Sequence, residues 1–298
     1  MTDADTTNEY IKNLITNKDI FMITRTGWGA EPVISYGIVY NKPYFLSVHP
    51  RNILEYNAGI YKQNPENLSK WAYLYYNAIK NSTCCFVWKN ENVSSFIKKA
   101  QIMLTLGVNN MNAEYLDPLV AVESGKKPWT QSLCGKKLLI ISPFTDSIKY
   151  QNDKGYNLIS GDNRLFHPDQ KYIYYKTFNT LGGNFVHSNW SETFMKMIQD
   201  ISILDFDIAL VSCGGYGLPI CDFIYSKMKK SSIYVGGVLP LLFGVTCERY
   251  KEPKFLWRAR KYNPGMIKPN ADEQVEMKSF RELYSYGKNN EVENKCYW

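Results

Sequence analysis

The chain has 298 residues, 45% hydrophobic and 21% charged, with a net charge of +7. This allows a substantial core, as one large domain or two small ones, and is ordinary for a globular protein. No apolar run reaches the ~18 residues of a membrane-spanning helix, and no run of five basic residues marks a nucleic-acid partner. The polar, acidic start Met1-Thr-Asp-Ala-Asp is unlike a secretory signal, so a cytoplasmic location is expected. Seven cysteines form no CxxC pair and three histidines (His49, His167, His187) are scattered. A zinc centre is therefore disfavoured, and the thiols read as reduced and buried.

Apolar residues at Tyr10, Ile11, Leu14 and Ile15 have helical spacing and predict a helix over 7–18. Phe21 to Thr24 reads as a short buried strand. Arg25-Thr-Gly27-Trp-Gly29-Ala-Glu31 is then a glycine-bearing turn into a helix from about Pro32 to Val39, proline suiting a first helical turn. Helices are predicted over 68–80 and 93–106, with a strand from Cys84 to Trp88 between them. Leu138-Leu-Ile-Ile-Ser-Pro143 is a parallel-type strand, followed by a helix from Phe144 to Tyr150. A strand from Tyr172 to Phe178 and a helix from Trp190 to Ile201 come next.

Ile208 to Ser212 is an apolar strand that runs into Cys213-Gly214-Gly215-Tyr216-Gly217-Leu-Pro219 and a helix. A second strand from Ser232 ends at Gly236-Gly237. Strands alternating with helices predict an α/β fold with a Rossmann-like, largely parallel sheet covered on both faces. We read 1–298 as one domain, with a sub-boundary near 125–135 and a C-terminal segment, 251–298, that docks on the surface.

Three strand-to-helix turns share one design: Arg25 to Glu31, Ser142 to Ser147, and Cys213 to Pro219. In a parallel sheet all three lie on the carboxyl edge, where open α/β sheets bind ligands. Arg25 offers a fork for phosphate or carboxylate. Glu31 suits a metal ion, a sugar hydroxyl or a proton in transfer. Gly27, Gly214, Gly215, Gly217, Gly236 and Gly237 let a backbone approach a ligand, and Ser142, Thr145 and Ser147 can donate to phosphate oxygens.

Each feature has a structural alternative: an Arg–Glu pair at a helix start, or glycines that let a helix cross a strand closely. The Gly-Gly-Tyr-Gly turn does not have the dinucleotide spacing GxGxxG. Asp205-Phe-Asp207 has the form of a metal-binding DxD. It precedes its strand, however, and so belongs to the opposite edge.

The segments Lys136 to Ile148, Asp207 to Ile220, Ile233 to Gly244 and the terminal Val-Glu-Asn-Lys-Cys-Tyr-Trp298 resemble a group of largely uncharacterised proteins. These are found beside bacterial polysaccharide genes and in some large DNA viruses. With the Arg25–Glu31 turn, the chain is similar to glycosyltransferases of the GT-D type. The resemblance implies transfer of a sugar from a nucleotide-sugar donor, usually a UDP-sugar, to a glycan or protein hydroxyl. Arg25 and Glu31 would be the catalytic pair, with the glycines, the three hydroxyls and a stacking Tyr216 around the donor. A viral source would place it in the host cytoplasm.

In the GT-D pattern an Asp-x-Glu pair meets a divalent metal, Mn²⁺ or Mg²⁺. Here Glu31 stands one residue further from the arginine, and Trp28 takes the place of the aspartate. Two sites therefore stay open: one with metal on Glu31, and a metal-free one with Arg25, backbone amides and a lysine. Two rival functions also remain: another nucleotide-dependent enzyme such as an oxidoreductase, and a non-catalytic nucleotide- or glycan-binding relative.

Overall fold

The computed structural model describes residues 3–17, 20–159, 161–247 and 265–289. Seven strands form one sheet: β1 (Met22–Arg25), β2 (Cys84–Val87), β3 (Asn110–Asn112), β4 (Lys137–Ser142), β5 (Lys171–Lys176), β6 (Ile208–Val211) and β7 (Ser231–Tyr234). The spatial order is β3-β2-β1-β7-β6-β4-β5, and every pairing is parallel.

Both faces are buried, which is why the strands read as unbroken apolar runs. Along β4, Leu139 and Ile141 join one core while Leu138 and Ile140 join the other. Along β6, Ala209 and Val211 alternate in the same way with Ile208 and Leu210.

The first core is covered by α2 (Ala30–Val39), α3 (Val48–Ala58), α4 (Pro65–Asn81), α5 (Ser95–Leu104), α8 (Trp190–Ser202) and α9 (Gly217–Asp222). The second is covered by α1 (Ala4–Asn17), α6 (Pro118–Glu123), α7 (Thr145–Asp153) and α10 (Leu239–Leu242). Right-handed crossovers explain the split. The steps β1→β2→β3 and β5→β6→β7 run in one direction across the sheet, whereas β4→β5 runs in the other. Neighbouring β6 and β4 consequently send their helices to opposite faces, and α10, after β7, lies on the face opposite to α2, after β1. Such reversals mark the carboxyl edge as the place where open α/β sheets bind ligands.

The predicted elements before and after residues 125–135 share this one sheet. Trp129, inside that stretch, is fully buried in the second core, its indole N–H donating to the Leu116 carbonyl at 2.9 Å. The sequence reading does not include edge strand β3 or helices α3, α6 and α10. A segment from residue 265 pairs with the chain after α10 at an isolated bridge between Ile267 and Val245 and leads to α11 (Phe280–Tyr284). There Phe280 packs on Tyr56 and Leu181. Residues 248–264 and the terminal 290–298, with the expected docking of the last aromatic residues, lie outside the described residues. No helix among the described residues is long and apolar enough to cross a membrane.

Candidate functional site

The order of strands puts the ends of β1, β7, β6 and β4 side by side. All three turns singled out in the sequence therefore stand on one edge, together with Gly236 and Gly237. They differ in what fills them.

At the end of β1, the Arg25 guanidinium lies between two rings, its carbon 5.2 Å from the centre of Trp88 and 5.7 Å from that of Tyr234. Trp88 is held over it by two hydrogen bonds. Its indole N–H donates to the Thr26 carbonyl at 2.9 Å, and its backbone N–H donates to the side chain of buried Gln101 at 2.8 Å. Gln101 also accepts from the Thr26 hydroxyl at 2.6 Å.

Arg25 reaches under β7. Gly236 has φ +70°, and a Cβ built on it falls 1.9 Å from an Arg25 terminal nitrogen, so a side chain here would strain the backbone and displace the guanidinium. Arg25 Nε is buried with no hydrogen-bond partner among the described residues. Such an N–H is an exception that calls for an acceptor.

Glu31, in the first turn of α2, folds back over Gly27. A Cβ there would lie 2.4 Å from the Glu31 carboxyl carbon, while one on Gly29 would lie 3.6 Å from Oε2. The Gly27 amide donates to the Tyr75 hydroxyl at 3.0 Å. Burial pushes the Tyr75 phenol well up, and the Glu31 charge adds to the effect. Burial likewise raises Tyr234, which Arg25 pulls back down and Glu31 and Cys213 push further up. Tyr234 thus senses both members of the candidate pair. Trp28 is 41% exposed at the tip of this turn, edge-on to Trp88 at 4.8 Å.

The other two turns are filled by the protein itself. At the end of β6, Gly215 faces Ile60 and the Ala58 carbonyl, and Gly214, at φ +56°, faces the same carbonyl. Gly217 lies against the Tyr234 ring, where a Cβ would come within 2.0 Å of it. Tyr216 corrects the stacking role expected of it. It is 2% exposed, and its hydroxyl donates to the Gly59 carbonyl at 2.9 Å. Gly214 and Gly215 serve close packing of the turn on the end of α3 and the chain after it, and Gly217 serves its packing on Tyr234.

At the end of β4, the N-terminus of α7 already holds an anion. Buried Glu273 accepts the Asp146 amide at 2.8 Å, the Ser147 amide at 3.2 Å and the Ser147 hydroxyl. Ser142 is fully buried, its hydroxyl accepting the Phe144 amide at 3.2 Å, and Thr145 is 2% exposed. The phosphate-donor role expected of these hydroxyls meets a carboxylate supplied from 126 residues away.

Asp205 and Asp207 sit at the opposite edge, where Lys137 takes both: its ammonium contacts Asp205 at 2.5 Å and its amide donates to Asp207 at 2.7 Å. The buried thiols are protonated. Burial pushes Cys84, Cys85 and Cys221 up to about 12, which removes them as nucleophiles at neutral pH.

The sequence reading lacks Trp88, Tyr234, Tyr75 and Gln101. Two of these had a signal: Tyr234 is the last residue of β7 and Trp88 follows the last residue of β2, both on the ligand edge. Among the described residues no group of three His, Cys, Asp or Glu is placed to hold a metal ion, and Trp28 stands where a second carboxylate would be. The donor set among the described residues does not fit the divalent metal of the GT-D pattern. Compared with known proteins, the chain matches no family model, no curated protein and no solved structure.

Proposed function

We propose that the chain is a glycosyltransferase that binds a nucleotide-sugar, a UDP-sugar in the first instance, at the carboxyl ends of β1 and β7. The observation that carries this reading is Arg25. It is a guanidinium clamped between two aromatic rings at the ligand edge of a Rossmann-like sheet, with a buried N–H that lacks an acceptor among the described residues. A diphosphate supplies that acceptor and matches the charge.

In the reaction, an acceptor hydroxyl attacks the anomeric carbon of the donor. The new glycosidic C–O bond forms as the bond from that carbon to the diphosphate oxygen breaks, and the diphosphate leaves with the electron pair. Arg25 takes up the charge developing on the leaving group, the kind of preorganised stabilisation that contributes most in such sites. Glu31 accepts the proton from the attacking hydroxyl. No step runs through a metal.

The test is turnover of UDP-sugars by Glu31→Gln beside the parent protein, with circular dichroism to confirm the fold. Loss of turnover by at least ~100-fold, the usual scale of general-base removal, is the expected outcome. Parent-level turnover in the variant removes Glu31 from the mechanism.

A further inference from the structure

Beside Glu31 the surface opens into a cleft of about 550 Å³ whose lining includes Gly29, Tyr44, Phe45, Ser47, His49 and Phe96. Gly29 brings the cleft next to the chemistry, since a Cβ on that residue would lie 3.6 Å from Glu31 Oε2. The volume falls in the range of small-molecule sites.

Two of its aromatic residues stand outside the core. Tyr44 is 76% exposed and Phe96 44% exposed, with ring centres 5.6 Å apart and a tilt of 31°. Phe96 also contacts buried Phe45 at 5.2 Å, which anchors the platform. Adjacent large rings left in water at a concave site mark a place where something binds.

Two helices, α2 and α3, begin at this cleft without a side-chain cap. The residue before α2 is Gly29, and Ser47 before α3 makes no capping bond. Together these features describe the ligand: one apolar face to lie on the rings, and a rim of oxygen atoms to meet Ser47, His49 and main-chain donors. A lipid chain matches the rings but leaves the polar groups unused. A pyranose matches both, through its C–H face and its hydroxyl edge.

We propose that this cleft binds the carbohydrate acceptor, presenting a sugar hydroxyl towards Glu31. The assignment to an acceptor rests on the transferase reading above, whereas the recognition of a pyranose ring does not. The experiment is saturation-transfer NMR with methyl glucoside, galactoside, mannoside and N-acetylglucosaminide, on the parent protein, Tyr44→Ala and Phe96→Ala. A UDP thermal-shift measurement runs in parallel on all three. Both rings are exposed, so the variants retain the fold.

The expected result is transfer from the parent protein to ring C–H protons of at least one glycoside. In each variant affinity falls about fivefold, the scale of losing ~1 kcal/mol of stacking, and the UDP shift stays unchanged. Absence of transfer from every glycoside overturns the proposal, as does equal transfer in both variants. Loss of the UDP shift in the variants also overturns it, by making the cleft part of the nucleotide's own site. A parent protein that binds glycosides but shows no UDP shift supports carbohydrate recognition here while removing the transferase reading.

Discussion

The Arg25 guanidinium occupies the space that a side chain at Gly236 would fill. The end of β7 is thereby shaped around the end of β1, its neighbour in the sheet although β1 ends at Arg25 and β7 begins only at Ser231. Gly236→Ala must strain a backbone at φ +70° and push the guanidinium aside. A left-handed conformation costs an L residue about 1–2 kcal/mol, and the displacement adds to it. In an Arg25→Ala background only the backbone cost remains. A double-mutant cycle by urea denaturation is expected to show a coupling of at least ~0.5 kcal/mol. Additive losses would mean that the two residues do not share this space.

Glu273 gives a second prediction. It caps α7 with charge-assisted hydrogen bonds from Asp146 and Ser147, and it also belongs to a capping box with Asn270. Glu273→Ala removes the cap and detaches the returning segment, at an expected cost of about 2–3 kcal/mol. Amide exchange should then speed up selectively at Asp146 and Ser147. Unchanged protection there would show that the carboxylate does not close this helix.

The buried thiols set an alkaline limit on stability. Cys84, Cys85 and Cys221 are raised in the folded protein to about 12 from an ordinary value of 9.0. Below pH 9 both folded and unfolded chains keep these protons, so the full stability is present. Between pH 9 and 12 the unfolded chain releases them first, and stability falls as pH rises. At pH 10 the loss is about 1 kcal/mol per thiol. Urea midpoints at pH 8 and pH 10 check this, and replacing Cys85 by Ala should reduce the difference. A midpoint independent of pH across this window would contradict protonated, buried thiols.

Much of the frame was legible because its physics is local. Strands buried on both faces are written as apolar runs, and the alternation of Leu138 to Ile141 between two cores needs only the period of a strand. Strand β3 escaped because Asn110-Met-Asn112 is three residues long with one apolar side chain. In the candidate site, Arg25 and Glu31 could be read together because they sit in one turn, whereas the surroundings of the other expected residues could not be read. A glycine turn reads the same whether it faces a ligand or the Tyr234 ring, and Gly217 faces the ring. Glu273 arrives from a distant segment, and the Tyr44–Phe96 platform joins two separate elements. Neither leaves a local pattern in the sequence.

The central claim is that Arg25 receives a nucleotide diphosphate without a metal. It is tested most directly by thermal unfolding with UDP in the presence of EDTA, on the parent protein and on Arg25→Met. At about 100 times its dissociation constant UDP should stabilise the parent by roughly 2.7 kcal/mol, and Arg25→Met should lose that shift while remaining folded. An equal shift in both proteins, or a shift that appears only when Mn²⁺ replaces EDTA, would contradict the account.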